Sequence, residues 1–213
     1  MTVEARQIAE QGASPLMQPV LDLMRTVTHE DVVPALDTIF AEKQSVDPKT
    51  GIVIAKLRQF APIETADGTR YAVYAARVLP ASPDNPNFVN PHYHLLADEF
   101  YRFLSGTDGE MNRGRVQSGG EVAWSDPLRV QPGDEVMIER GVVHSFRNLG
   151  TEVADFVFCA KEGEEDSSHR DPFGDPISPD LLDYDPVEAP EGDRYIVRDF
   201  PNGIPPWYLD QAA

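Results

Sequence analysis

Residues 91–106, Pro91-His92-Tyr93-His94-Leu95-Leu96-Ala97-Asp98-Glu99-Phe100-Tyr101-Arg102-Phe103-Leu104-Ser105-Gly106, decide how the rest of this 213-residue chain is read. Two histidines are separated by one residue. On an extended strand alternate side chains point to the same face, so His92 and His94 present their imidazoles in one direction. Glu99 opens the next β-rich run, where it adds a carboxylate. Further along, Glu139-Arg140-Gly141 reads as a tight turn leading into a strand that carries His144. Three neutral imidazoles and one carboxylate suit a single divalent ion, Fe(II), Mn(II), Co(II), Ni(II) or Zn(II), and leave room for water, oxygen or substrate. Taken singly, each of the four is an ordinary polar residue. Their weight comes from occurring together, in order, at a plausible separation.

The same residues resemble the two motifs of the cupins. The first motif runs Gly, five residues, His-x-His, three or four residues, Glu, six residues, Gly. His92, His94, Glu99 and Gly106 match it. The second runs Gly, five residues, Pro-x-Gly, two residues, His, three residues, Asn, matched by Gly133, Gly141, His144 and Asn148. The chain departs from the pattern at Pro86, where the first glycine is usual, and at Glu139, where the proline is usual. The resemblance implies an all-β core, a cupin-type double-stranded β-helix or jelly-roll barrel. It also implies one bound divalent metal at His92, His94, Glu99 and His144, with Fe(II) preferred. A homodimer is implied as well, since cupin barrels often pair through edge strands or exchanged ends.

Outward from the motifs the texture fits a barrel. Ile52 to Phe60, Arg70 to Leu79, Glu99 to Leu104, Leu128 to Val130, Glu135 to Glu139, His144 to Asn148 and Ala154 to Ala160 are short β-rich runs separated by Gly, Pro and Asn. The stretch between Gly106 and Gly133, with Gly114, Gly119 and Gly120, is expected to form a hairpin at the barrel's edge. Residues 1–50 read as a helical extension. Leu16, Val20, Leu21 and Met24 recur at helix spacing, and a second helix starts between Thr28 and Asp31, with Pro34 in its first turn if Asp31 is the N-cap. A turn is expected at Asp47-Pro48. Residues 51–165 are assigned to the barrel and 166–213 to an acidic, proline-rich segment. That segment's apolar end at Trp207, Tyr208 and Leu209 should pack on the barrel or on a partner subunit.

Composition narrows the function. A formal net charge of −18 argues against nucleic acid and against anionic membrane surfaces, both of which need clustered Lys and Arg. One cysteine, Cys159, excludes an intrachain disulfide and a cysteine-rich zinc site; in an apolar strand it reads as a buried thiol. No apolar run is long enough for a helical membrane span, and no apolar signal core opens the chain, so a cytoplasmic location is expected. His29 and His169 read as ordinary surface residues.

Period-two alternation places Tyr101 and Phe103 on the face of Glu99, and Phe146 and Asn148 on that of His144. Tyr101 is a candidate acid or hydrogen-bond donor, and equally a core aromatic. Phe103, Phe146 and Asn148 are candidate pocket residues. Arg77, sharing a face with Tyr71, Val73 and Ala75, is either a clamp for a substrate carboxylate or half of a structural salt bridge. Three functions remain open. They are an Fe(II) dioxygenase acting on a small organic substrate, a non-redox isomerase, lyase or decarboxylase, and a binding module without turnover.

Overall fold

A computed structural model of the chain describes residues 15–42, 52–82, 87–162, 194–197 and 200–209. The expected corner at Asp47-Pro48, the departure at Pro86, His169 and the acidic run from 163 to 193 lie outside the described residues. So do the boundaries drawn at residues 50 and 165.

Two antiparallel sheets face each other as a jelly-roll sandwich. The first is ordered β1 (Ile52–Lys56), β3 (Arg70–Val78), β11 (Ala154–Lys161), β5 (Glu99–Phe103) and β9 (Glu135–Ile138), with β2 (Ile63–Glu64) also on β3. The second is ordered β12 (Arg194–Ile196), β4 (His92–His94), β10 (Val143–Asn148), β6 (Gly109–Val116) and β7 (Val122–Trp124), with β8 (Leu128–Val130) also on β6. Inward side chains of both sheets form one apolar filling: Val136, Ile138, Phe103 and Phe156 from the first, and Met111, Leu128, Val130 and Phe146 from the second. This alternation fixes the register, because a one-residue slip would turn every inward side chain outward.

The outer face of the first sheet is also apolar. Tyr71, Val73, Ala75, Phe100, Val157 and Cys159 meet Val20, Leu21, Met24, Val32 and Leu36 of two helices, α1 (Gln18–Thr26) and α2 (His29–Glu42). Those helices therefore cover a sheet face that would otherwise be an exposed apolar patch. The helix α2 begins at His29, three residues before the start at Val32 that an Asp31 cap would give. Thr28 precedes it, and its backbone N–H and hydroxyl both donate to Asp31 Oδ2 at 2.7 Å. Pro34 consequently stands inside the helix, not in its first turn.

Residues 106–133 hold the expected hairpin: β6 turns through Gln117 to Glu121 into β7, the last strand of the second sheet. The first arm of that hairpin reaches further into the sheet than its glycines suggested, since Gly109 to Val116 also pairs with β10 on its other side and with β8. A Cβ at Gly109 would lie 2.7 Å from Val130 Cγ2 and 2.8 Å from Phe146 Cε2, so glycine lets the strand approach the filling. The outward residues of β6 are polar and buried. Glu110 accepts from Arg147 Nη2 at 3.0 Å, and Asn112 donates to the Tyr208 hydroxyl at 2.6 Å. Tyr208 and Trp207 belong to a short helix, α3 (Pro206–Leu209), and Trp207 Nε1 donates to Asn112 Oδ1 at 2.7 Å. The aromatic end thus packs on the chain's own barrel. Among the described residues no helix is long and apolar enough to cross a membrane.

Candidate metal centre

The three segments that carry His92, His94, Glu99 and His144 are stitched together by backbone contacts. His92 on β4 lies directly opposite His144 on β10. β12 pairs along the other edge of β4, so the short His-x-His strand is held on both sides. The turn before β10 closes through Val142 N–H to Glu139 O at 3.0 Å, and Gly141 at its third position has φ +78°, the left-handed region that favours glycine. Gly141 N–H donates to His94 O, and Arg140 N–H donates to Asp98 Oδ1 at 2.9 Å. The turn is thereby tied to His94 itself and to Asp98, the residue before Glu99. Glu139 replaces the usual proline without opening it.

All four side chains are buried, and one ligand atom of each lies within 4.8 Å of the others. Nδ1 of His92 donates to Asn90 O at 2.7 Å, and Nδ1 of His144 to Val142 O at 3.1 Å. With the proton held on Nδ1, the Nε2 lone pair is left to face the centre, the tautomer a metal ligand needs. Glu99 Oε2 sits 2.9 Å from His144 Nε2 and 3.3 Å from His94 Nε2. Two ligands at right angles on one ion, each about 2.0–2.2 Å from it, would be about 3 Å apart. The donor set therefore fits one divalent ion in both chemistry and spacing. Burial alone would raise the Glu99 pKa. A proton carried at Nε2 of His94 or His144, the place an ion would take, outweighs it by charge and by hydrogen bonding and holds the carboxyl well below the usual carboxylate range.

Tyr101 lies beside the cluster. Its hydroxyl donates to Glu99 Oε2 at 2.7 Å and is 3.1 Å from His144 Nε2. Phe103 and Phe146 point inward and belong to the apolar filling of the barrel beside Tyr101. Their rings meet each other and Phe156 at tilted or edge-on angles, with centroid distances of 5.1–5.4 Å. Asn148 is buried at the end of β10. Its amide donates to Val78 O at 2.9 Å and Glu152 O at 2.7 Å, fastening the corner at the far end of β10. Arg77 faces the helices, on the side of the sheet away from the cluster. It holds Asp155 with two hydrogen bonds of 2.8 and 2.9 Å and also pairs with Asp37. The structural salt bridge is thus the role it takes, because the whole face of Tyr71, Val73 and Ala75 turns toward α1 and α2.

The sequence reading missed Arg113. It lies on β6 directly opposite His144, on the face of Met111, which is inward. Burial without a counter-charge lowers its pKa from the ordinary guanidinium value. The available signal was the alternation Met111, Arg113, Arg115 between two glycine-bearing turns.

No protein-family model matches the chain, and no curated protein matches it. Solved structures resemble it at low identity. Oxalate oxidase in complex with the substrate analogue glycolate is 21% identical over 54% of this chain and 52% of its own, with a TM-score of 0.38. The oxalate decarboxylase formate complex of Lactobacillus farciminis is 17% identical over 59% of this chain and 29% of its own, with a TM-score of 0.37. Fe(II)-HppE with an alternative substrate is 20% identical over 51% of this chain and 48% of its own, with a TM-score of 0.35. The chain thus matches about half or less of the length of these structures. Its own two sheets and its four converging donors define the class: a cupin-type jelly roll with a buried site of three histidines and one glutamate that suits a divalent metal.

Proposed function

We propose that the chain is a metal-dependent enzyme that holds one divalent ion, Fe(II) by preference, through His92, His94, Glu99 and His144. We propose further that it acts as a dioxygenase on a small organic substrate. The observation that carries this reading is the convergence of four buried donors, with two imidazoles tethered through Nδ1 so that Nε2 faces the centre. Burying a carboxylate among imidazoles is costly unless a further positive charge is gained, which an ion supplies. When bound, the ion would provide Lewis acidity and, as Fe(II), redox capacity.

The chain's own residues supply the rest. Asn90 and Val142 carbonyls orient the imidazoles, and the Tyr101 hydroxyl holds a proton at Oη, 2.7 Å from Glu99. Phe103, Phe146 and Phe156 below exclude water from that side. Tyr101 is thereby positioned as an acid or hydrogen-bond donor toward a ligand entering the cluster. Protein loaded anaerobically with Fe(II) should consume oxygen when offered its substrate from a panel of small organic compounds. Turnover that proceeds equally well without oxygen, with Zn(II) or Mn(II), would replace the dioxygenase by a non-redox isomerase, lyase or decarboxylase.

A further inference from the structure

The metal reading leaves one half-buried arginine, Arg113, unused. His144 lies opposite His92 on one side and opposite Arg113 on the other. Directly paired residues share a sheet face, so His92, His144 and Arg113 form one row across the inner face of the second sheet. Two members of that row are metal-ligand candidates and the third is a guanidinium.

Other buried or half-buried arginines are paired. Arg77 holds Asp155, Arg147 holds Glu110, and Arg102 donates to Val27 O at 2.6 Å. Arg113 differs. Its Nε is buried with no hydrogen-bond partner, and among the described residues no carboxylate pairs with it. It lines a cavity of about 260 Å³ together with Arg115, Ser125, Met137, Glu139 and Val142. Arg115 is engaged there by Glu139 at 3.6 Å, which leaves Arg113 as the uncommitted cation of the cavity. Val142 also lines the cavity, and its carbonyl receives Nδ1–H of His144, so the cavity adjoins the residue that orients one candidate ligand. Such a cavity suits a small molecule, below the range typical for drug-sized ligands.

We propose that Arg113 binds a carboxylate of the substrate, which makes the substrate a small organic acid; this rests on the metal site proposed above. A planar guanidinium beside the metal cluster matches a carboxylate in two-point geometry and would orient the rest of the acid toward His144. Desolvation of Arg113 is then already paid in the free protein, and the arriving carboxylate supplies the missing counter-charge.

The test uses the full chain loaded with Co(II), whose visible spectrum reports on ligands entering the site. Pyruvate, a small carboxylate, and pyruvamide, its neutral counterpart, are titrated into wild type, Arg113→Gln and Arg113→Lys, with metal content measured for each. Wild type should prefer pyruvate to pyruvamide about tenfold or more. Arg113→Gln should abolish the preference with metal content and melting temperature unimpaired, and Arg113→Lys should keep part of it. Pyruvate affinity in Arg113→Gln within twofold of wild type overturns the proposal, as does equal weakening of both ligands. If wild type retains no Co(II), the metal reading fails. Calorimetric titration of the same ligands into metal-free wild type and Arg113→Gln then decides Arg113 alone, by the same loss or persistence of preference.

Discussion

Two buried carboxylates in this molecule meet opposite treatment. Asp155, on the helix-covered face of the first sheet, is 1% exposed and is closed by the chain itself. It receives two hydrogen bonds from Arg77, and His29 Nε2 lies 2.9 Å away on the half-exposed side. Glu99, on the inward face of the same sheet, is 3% exposed and, among the described residues, pairs with no arginine or lysine. It faces His94, His144 and Tyr101. In the first cluster donors and acceptors are matched. In the second, four donor atoms converge on one point within 4.8 Å of one another. That contrast separates a structural ion pair from a ligand cage.

The comparison can be broken at either end. Arg77→Met leaves Asp155 buried without its main partner, and should cost about 3–5 kcal/mol of stability while metal content stays at the wild-type level; urea unfolding with metal analysis reads both. A fall in metal content alongside stability would mean that the clusters are not independent. His144→Ala should do the reverse, lowering metal affinity by about 100-fold or more with the fold retained, as measured by competition with a chelator. Tyr101→Phe removes one hydrogen bond to Glu99 and should cost about 1 kcal/mol, with the ion still held. The smallest expected effect concerns Cys159. Burial, and after it the charge of Glu99, push its thiol pKa up, so at pH 8 it remains a thiol. Native protein should resist iodoacetamide, and denatured protein should react at once.

The ligands were legible in the sequence because their spacing is local: a strand's period of two aligns His92 with His94, and a turn glycine precedes His144. Parity also grouped Tyr71, Val73, Ala75 and Arg77 on one face. It could not say which way that face looks, since the helices that cover it and Asp155, 78 residues beyond Arg77, are distant in sequence. β6 was hidden for a similar reason. Glu110 and Asn112 look like loop residues until Arg147, Trp207 and Tyr208 arrive to bond them. Without that strand, Arg113 had no neighbour and no face. Asn148 occupies a motif position, and its fastening of a strand end shows that a motif carries residues for the frame as well as for the chemistry.

The central claim is that the inward cluster is a metal site. Its most direct test is the stoichiometry and dependence of ion binding. After anaerobic loading with Fe(II) or Co(II) and exhaustive dialysis, wild type should retain one ion per chain. His92→Ala, His94→Ala and His144→Ala should each retain little or none while keeping the wild-type far-ultraviolet circular dichroism. No retained ion in the wild type, or an ion retained equally by all three variants, would contradict it.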